Sequence, residues 1–198
     1  MDCVLTLDVG SSSARTLLFG FDGKAIEGFG SQVKYRATTS EDGGWEIDAA
    51  EVTRIVAKSI TDICGQIRAQ KAVKPLKPAA VAVDTFWHSI MGVDSGGKPV
   101  TAILHPFDSR SADAARRLAQ RIDNLGQHKR TGCMLHPSYP PPKLLWLSET
   151  QPEAFGAAQH WIGLQRGGLD FIPRDVTGQF HGSHRDYVRP HFDAEPRQ

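Results

Sequence analysis

The stretch VLTLDVGSSSARTLLF, residues 4–19, decides the fold of this chain. An apolar strand runs into Asp8-Val9-Gly10, three consecutive serines form a turn, and a second apolar strand carries Arg15. Turn-forming residues between two short apolar runs are typical of a β-hairpin. The stretch therefore predicts two antiparallel strands whose tip gathers an acid, a glycine and several hydroxyl groups.

The tip of this hairpin carries residue types that bind phosphate. The backbone N–H of a glycine can approach an anion closely, serine hydroxyls add donors, and a carboxylate can hold a hydrated Mg2+. An ordinary hairpin with a Ser-rich turn fits the same residues, and the GxxxxGK[ST] motif is absent. The candidate phosphate and Mg2+ residues are Asp8, Gly10, Ser11, Ser12, Ser13 and Arg15, with Asp8 reaching the metal through water.

Composition excludes several classes of protein. The 198 residues are 40% hydrophobic and 23% charged, and the net charge of +1 favours neither nucleic acid nor an anionic membrane as a partner. The chain begins with strand-like residues instead of a signal peptide and has no run of about 18 apolar residues, so we expect a cytoplasmic protein. Cys3, Cys64 and Cys133 have no CxxC spacing, which predicts reduced core thiols.

The segments after the hairpin predict a third strand and a long helix. Residues 25–36 continue as a strand, and residues 38–44 form a polar, Gly-containing loop. Asp48 followed by Glu51 resembles a capping box, and the apolar residues behind it recur at spacings of three and four. We therefore expect an amphipathic helix over residues 48–69 with one buried face.

The middle of the chain completes an α/β pattern. The continuous apolar run over residues 79–84 predicts a strand covered on both faces. A hairpin is expected over residues 89–104, and apolar residues four apart predict a second helix over residues 109–122. The order of these elements predicts a mixed five-stranded sheet flanked by helices.

Four motifs, in order along the chain, resemble those of the FGGY carbohydrate kinases, a family of the actin-like ATPase superfamily. The last of them is most similar to the gluconate-kinase-like branch, with the xylulose-kinase-like branch as the other match. The motifs are Asp8-x-Gly10-Ser11-Ser12, Thr85-Phe86-Trp87-His88-Ser89, Asp108-Ser109-Arg110, and the run from Thr131 to Tyr139 followed by Lys143-Leu144-Leu145-Trp146-Leu147.

The resemblance implies a fold, a reaction and a set of substrate-binding residues. The implied fold is an actin-like, ribonuclease H-like ATPase domain, and the implied reaction transfers phosphate from ATP with Mg2+ to a sugar, sugar acid or polyol. Trp87, His88, Asp108 and Arg110 would bind this acceptor, because a carboxylate accepts from vicinal hydroxyls and an arginine fork donates to others. Taken singly, His88 fits a hydrogen-bonded core histidine, and Asp108 and Arg110 fit a helix cap and a solvated charge.

Other positions leave the acceptor open. Glu46 and Asp48 match a Glu-x-Asp pattern of the family, and Trp45 either borders the sugar site or packs at the helix entrance. The family usually has Trp before its Asp-x-Arg motif, whereas this chain has His105-Pro106-Phe107. Pro140 stands where an aromatic residue is common. Because these departures can reshape the pocket, the sequence does not specify which sugar binds.

The resemblance divides the chain into residues 1–163, an incomplete N-terminal kinase domain, and residues 164–198, a divergent tail. The tail has few apolar residues and neither helical nor strand periodicity, which predicts poor order. We expect a truncated kinase whose tail arose from a shifted reading frame or an early stop.

Truncation at this point has a chemical consequence. The family's catalytic base and adenosine-binding domain would lie beyond the matched region, so we expect little kinase activity from this chain alone. A non-catalytic sugar-binding module and an inactive remnant are the alternatives. The partner is a small sugar or sugar acid, and a separate chain that completes the kinase, or a second copy of this chain, is the other open hypothesis.

Overall fold

The computed structural model describes residues 1–70 and 75–164, and most of the predicted tail lies outside them. The first three strands form the predicted antiparallel meander: β1 Asp2–Val9, β2 Ser13–Phe19 and β3 Ala25–Lys34. The β2–β3 register shifts between Leu17 and Phe19. Gly28, in the facing part of β3, has a positive φ of 80°, a conformation that glycine adopts without strain. Gly28 thus lies at an irregularity of the sheet.

Helix α1, Ala49–Ala69, forms as predicted and covers one face of this meander. Asp48 caps it by accepting the N–H of Ala50 at 2.8 Å. The buried face of α1 consists of Ala49, Val52, Ile55, Val56, Ser59, Ile60, Ile63 and Cys64. These side chains pack on the inward residues of β1 and β2, among them Leu7, Val9 and Ala14. The spacing of three and four therefore identified the core correctly.

Strand β6, Lys77–Thr85, pairs parallel with β1, which gives one mixed sheet in the order β3-β2-β1-β6. Within the described residues this sheet has four strands, one fewer than predicted. The prediction that residues 79–84 are covered on both faces is wrong here, because all six are exposed. The physical reason is position: β6 is an edge strand, and α1 packs on β1, β2 and β3.

The remaining elements are short and flank the main sheet. The expected loop over residues 38–44 contains a two-residue strand, and the hairpin expected over residues 89–104 pairs internally only through the bridges Ile90–Leu104 and Val93–Pro99. The strands form two small sheets, β4-β5-β8 and β7-β9. Their bounds are β4 Thr38–Thr39, β5 Trp45–Ile47, β7 Met91–Val93, β8 Ile103–Leu104 and β9 His160–Ile162.

Four helices with described bounds follow β8 in residues 105–163: α2 Ala112–Ala119, α3 Asn124–Thr131, α4 Pro140–Thr150 and α5 Pro152–Ala157. The second predicted helix ends early because Asp123 begins a new one, accepting the N–H of Gly126 at 2.9 Å. Gly132 then ends α3 in the left-handed conformation, and Cys133 behind it is exposed. Cys3 and Cys64 are buried free thiols, so the prediction of core thiols holds for these two and is wrong for Cys133.

Leu164 lies at the end of the described chain and belongs to its core. It is buried, and its N–H donates to the Ser89 hydroxyl at 3.1 Å. The sequence assigned this residue to the tail, so the packed region extends at least one residue further than predicted. Within residues 1–70 and 75–164, none of the helices combines the length and the apolarity that crossing a bilayer requires.

Candidate functional site

The hairpin tip forms where β1 and β2 meet, and it differs from the predicted anion site in one respect. Gly10 donates its N–H to the Ser13 carbonyl at 2.9 Å, which closes the turn. That donor is therefore used within the hairpin in this conformation and is not free for an anion as predicted. Ser11 and Ser12 are exposed at the tip, and in the described chain their hydroxyls have no hydrogen-bond partner.

Tyr35, directly after β3, supports the tip, a role that no local sequence pattern indicates. Its hydroxyl donates to the Gly10 carbonyl at 2.6 Å, and its N–H donates to the Ser12 carbonyl at 3.0 Å. Tyr35 is buried, and burial raises the pKa of its phenol, so the hydroxyl keeps its proton. The tip is thus fixed by two hydrogen bonds from one residue.

Charged side chains form a row across the sheet beside the tip. Asp8 faces Arg15 on β2 and Asp84 on β6 in the strand registers. All three side chains are exposed, whereas the neighbouring Leu7 and Val9 are buried against α1. The sheet therefore brings the predicted residues Asp8 and Arg15 together and adds Asp84, which the sequence did not single out.

This row fits the chemistry of a magnesium site. Mg2+ prefers oxygen ligands, keeps several waters and is usually held through one or two carboxylates. Asp8 and Asp84 are exposed carboxylates at the carboxyl ends of adjacent parallel strands, the edge where ligands of open α/β sheets bind. The donor set is compatible with a hydrated metal near the tip.

The segment after β6 lies next to the hairpin. Phe86 donates its N–H to the Val9 carbonyl at 3.1 Å, so the chain leaves β6 beside the end of β1. Trp87 follows and is 64% exposed. His88 is partly exposed, its ring lies 4.6 Å from that of Tyr139, and its imidazole makes no hydrogen bond within the described residues. The alternative of a hydrogen-bonded core histidine does not describe this side chain.

Asp108 and Arg110 form a nearly buried ionic network with Glu46. One terminal nitrogen of Arg110, Nη2, donates to Asp108 at 2.6 Å and to Glu46 at 2.5 Å, and Asp108 also accepts the Trp45 N–H at 2.9 Å. Burial lowers the pKa of Arg110, but the hydrogen bonds to Asp108 and Glu46 outweigh it and leave the pKa raised. The Arg110 guanidinium lies 4.4 Å from the centre of the Trp146 ring.

This network differs from both sequence-based interpretations. Asp108 is only 2% exposed, and its oxygens accept from Trp45 and from the backbone and side chain of Arg110. It caps no helix, since the N-cap of α2 is Ser111. In this conformation the two residues bind each other and the Trp45–Glu46 strand, so contact with a sugar hydroxyl would have to share or replace these bonds.

A buried lysine joins the two acceptor-side segments. Lys143 of α4 is completely buried, and its ammonium donates to the His105 carbonyl at 2.7 Å and to the His88 carbonyl at 3.3 Å. Burial lowers the pKa of Lys143 to about 8, and the negative charge of Asp108 partly opposes this shift. Lys143 lies in the fourth family-like motif, but the sequence pattern predicts no role for it.

His105 is the centre of a cluster of aromatic side chains next to the Asp108–Arg110 network. It is fully buried, with ring-centre distances of 5.5 Å to Trp45, 5.0 Å to Phe86 and 4.7 Å to Phe107. Its Nδ1 accepts the Phe107 N–H at 3.2 Å, which places the proton of the neutral ring on Nε2. Burial and the Lys143 charge lower the pKa of His105 to about 4. The ring is therefore neutral near pH 7.

The chain matches known carbohydrate kinases in sequence and structure. The model of the N-terminal domain of the FGGY family of carbohydrate kinases matches residues 3–186. Over 82% of this chain, the sequence is 25% identical to gluconokinase of Bacillus licheniformis. Over 60% of this chain, it is 37% identical to xylulose kinase of Streptomyces coelicolor. A ligand-bound xylulose kinase from Lactobacillus acidophilus superposes with a TM-score of 0.72 at 25% identity, over 83% of this chain and 32% of that one.

These matches confirm the fold class and set the extent of the likeness. The mixed sheet with flanking helices is the actin-like fold of the carbohydrate kinases. The chain covers 30% of the gluconokinase and 24% of the xylulose kinase, so it spans less than a third of these curated relatives. The family match extends to residue 186, beyond the limit at Gly163 that was expected from the motifs. Residues 165–186 lie outside the described part of the chain.

Proposed function

The chain belongs to the FGGY family of carbohydrate kinases, and from this premise we propose that it provides the acceptor side and the first phosphate loop of a phosphoryl-transfer site. The observation that carries the proposal is the hydrogen bond from the Phe86 N–H to the Val9 carbonyl, 3.1 Å long. It sets the Trp87-His88 segment beside the hairpin that carries Asp8. An acceptor at the first would lie close to a phosphate at the second, which is the proximity that such transfer needs.

The acceptor in this proposal is a sugar, sugar acid or polyol. Trp87 offers an exposed indole face, and His88 offers an imidazole whose nitrogens are free to bind hydroxyls. Asp108 and Arg110 act mainly through each other, by fixing strand β5, which carries Trp45 and Glu46. The relatives named for gluconate and xylulose support this class of ligand without choosing one member of it.

The donor in this proposal is ATP with Mg2+. Asp8 would hold the metal through water, Asp84 would add a second carboxylate, and Arg15 with Ser11, Ser12 and Ser13 would face the phosphates. Mg2+ would supply charge neutralisation of the phosphates when bound. Gly10 contributes the shape of the turn, since its N–H closes the hairpin.

The proposal assigns neither a catalytic base nor an adenosine site to any described residue. Phosphoryl transfer would then require a catalytic base and an adenosine site from the part of the curated relatives that this chain does not cover, in the same protein or in a separate chain. A sugar-binding module without catalysis is the second candidate, and the exposed Trp87 and partly exposed His88 favour it because they can contact a sugar without any nucleotide.

Calorimetry without ATP tests the acceptor site. Gluconate, xylulose and glycerol are titrated into the wild-type chain and into His88→Asn, which removes the imidazole but tolerates the left-handed backbone at this position. We expect saturable binding of at least one ligand and at least a tenfold loss of affinity in His88→Asn. His128→Asn, at an exposed position on α3, is the matched control. Equal binding by all three proteins, or no binding by the wild type, contradicts the proposal.

ATP consumption with the same ligands tests the proposed division of the site, and its restoration by the missing part separates the two candidates. Turnover at the rate of a complete kinase would show that the chain carries the base and nucleotide site, against the proposed division. Sugar binding without turnover is the result that both the half-site proposal and the non-catalytic module predict. Turnover restored by a protein fraction carrying the remaining kinase length would favour the half-site.

A further inference from the structure

Lys143 is the most deeply buried charged side chain whose role the proposed function does not explain. It is completely buried near the start of α4, and its ammonium binds two backbone carbonyls that are distant in sequence, those of His88 and His105. In the described chain no carboxylate lies within ion-pair distance of it. Placing an unpaired ammonium inside a protein is costly, and burial accordingly lowers the pKa of Lys143 to about 8.

His88 needs a fixed environment. With a φ of 60°, it is the one non-glycine residue of the described chain in the left-handed region. Such a conformation strains a residue that has a Cβ and persists where surrounding contacts enforce it. The residues on either side of Trp87-His88 are held by hydrogen bonds. Phe86 donates its N–H to Val9 of β1, and the hydroxyl of Ser89 accepts the N–H of Leu164.

The start of α4 supplies the contacts to His88 itself. Lys143 binds its carbonyl at 3.3 Å, and the ring of Tyr139, the N-cap residue of α4, lies 4.6 Å from its imidazole. The same ammonium binds the carbonyl of His105, three residues before Asp108. One cation therefore sets the spacing between the segment of Trp87-His88 and the segment of the Asp108–Arg110 network.

We propose that Lys143 is a positioning residue for the acceptor: its ammonium holds the left-handed backbone of His88 and thereby presents the imidazole to the ligand. This role rests on the proposed function, since it assumes that His88 binds the acceptor. A merely structural lysine would join the two carbonyls to stabilise the fold, and its loss would lower stability and binding together. A positioning lysine changes the conformation of His88 and the affinity in a protein that remains folded.

The test uses Lys143→Met, which keeps the length of the side chain but removes the charge and all three donors. Lys129→Met, at an exposed position on α3, is the matched control. With histidine labelled by 13C and 15N, the HN–Hα coupling and the carbon shifts of His88 report its backbone conformation. Calorimetry with gluconate, xylulose and glycerol reports affinity, and thermal unfolding reports whether the variant is folded.

We expect His88 in Lys143→Met to lose its left-handed coupling and shifts, and the acceptor affinity to fall at least tenfold, while unfolding remains cooperative. Lys129→Met should match the wild type in all three measurements. Unchanged His88 resonances in folded Lys143→Met overturn the proposal, and so does unchanged affinity.

Two further outcomes are also decisive. If Lys143→Met does not fold, Lys143→Arg replaces the compact ammonium by a planar guanidinium and is measured in the same way. If neither variant folds, Lys143 serves the fold and the positioning role is wrong. A wild-type chain that binds no acceptor contradicts the proposed function alone, because the His88 resonances still decide whether Lys143 holds this backbone.

Discussion

The β1–β2 hairpin, proposed to face phosphate, and the segments around His88 and Asp108, proposed to face the acceptor, hold their polar side chains in different ways. At the hairpin, Asp8, Arg15 and the serines stand on the exposed face of a regular sheet, and their positions follow from strand register. On the acceptor side, Asp108 and Lys143 are buried, and their partners lie tens of residues away in the chain. The first arrangement is local and solvated, whereas the second depends on completed tertiary packing.

This difference predicts how each half tolerates change. Exposed charges interact weakly because water screens them, so single substitutions at the hairpin should affect ligand binding more than stability. Buried charges whose partner is removed are strongly destabilising. The acceptor side should therefore lose binding and stability together at Asp108, while the hairpin should lose binding alone.

The largest effect is expected at Asp108. Asp108→Ala removes the acceptor of the Trp45 N–H and one of the two carboxylates that bind the Arg110 guanidinium, the other being Glu46, and removing one partner of a buried pair costs about 3–5 kcal/mol. Urea unfolding measures the free energy, with Asp8→Ala on the exposed row as the comparison, expected within about 0.5 kcal/mol of wild type. Equal destabilisation of the two variants would remove the contrast between the halves.

A second prediction concerns acid sensitivity. The folded chain holds His105 neutral with a pKa of about 4, while the unfolded chain protonates it at its ordinary value near 6.5. Because the unfolded state then binds more protons, stability should fall as pH decreases from about 6.5 to about 4, by roughly 3 kcal/mol in total from this group.

Urea unfolding of wild type and His105→Phe across this pH range isolates the effect. The aromatic replacement cannot titrate, so the slope of its unfolding free energy against pH should be smaller than that of wild type by up to about 1.4 kcal/mol per pH unit. Parallel curves for wild type and His105→Phe would mean that His105 is not held neutral.

The smallest effect is expected at the support of the hairpin. Tyr35→Phe removes the hydrogen bond to the Gly10 carbonyl while keeping the buried ring, and such a bond contributes about 1 kcal/mol. Hydrogen exchange of Gly10 and Ser13 should become faster, because the turn opens more often. Faster exchange on the acceptor side as well would show that the two halves are mechanically coupled, which the local bonding of the hairpin argues against.

The sequence predicted the local half of the site better than the distributed half. The hairpin, the third strand and α1 follow from patterns within about 20 residues, namely alternation, turn chemistry and the Asp48 cap. The exposure of β6 was missed because an apolar run predicts a strand but not which elements cover it. Tyr35 and Lys143 have no local signature, since each acts on residues at least 23 positions away.

Site residues show the same division. Asp8 and Arg15 are adjacent because an antiparallel register places them so, and the sequence could foresee that much. Asp84 joins them through parallel pairing of β6 with β1, a contact across more than 70 residues. The closed network of Asp108, Arg110 and Glu46 also requires the β5–β8 pairing, which no periodicity in the sequence reveals.

In the proposed function, the Trp87-His88 segment and the hairpin that carries Asp8 lie side by side as two halves of one site. The most direct measurement is an amide NMR titration of the 15N-labelled chain with gluconate, xylulose or glycerol. We predict saturable shifts that are largest at Trp87 and His88 and extend more weakly to Gly10 and Ser12 at the hairpin tip. Saturable shifts confined to other parts of the chain, or none with any of these ligands, would contradict the account.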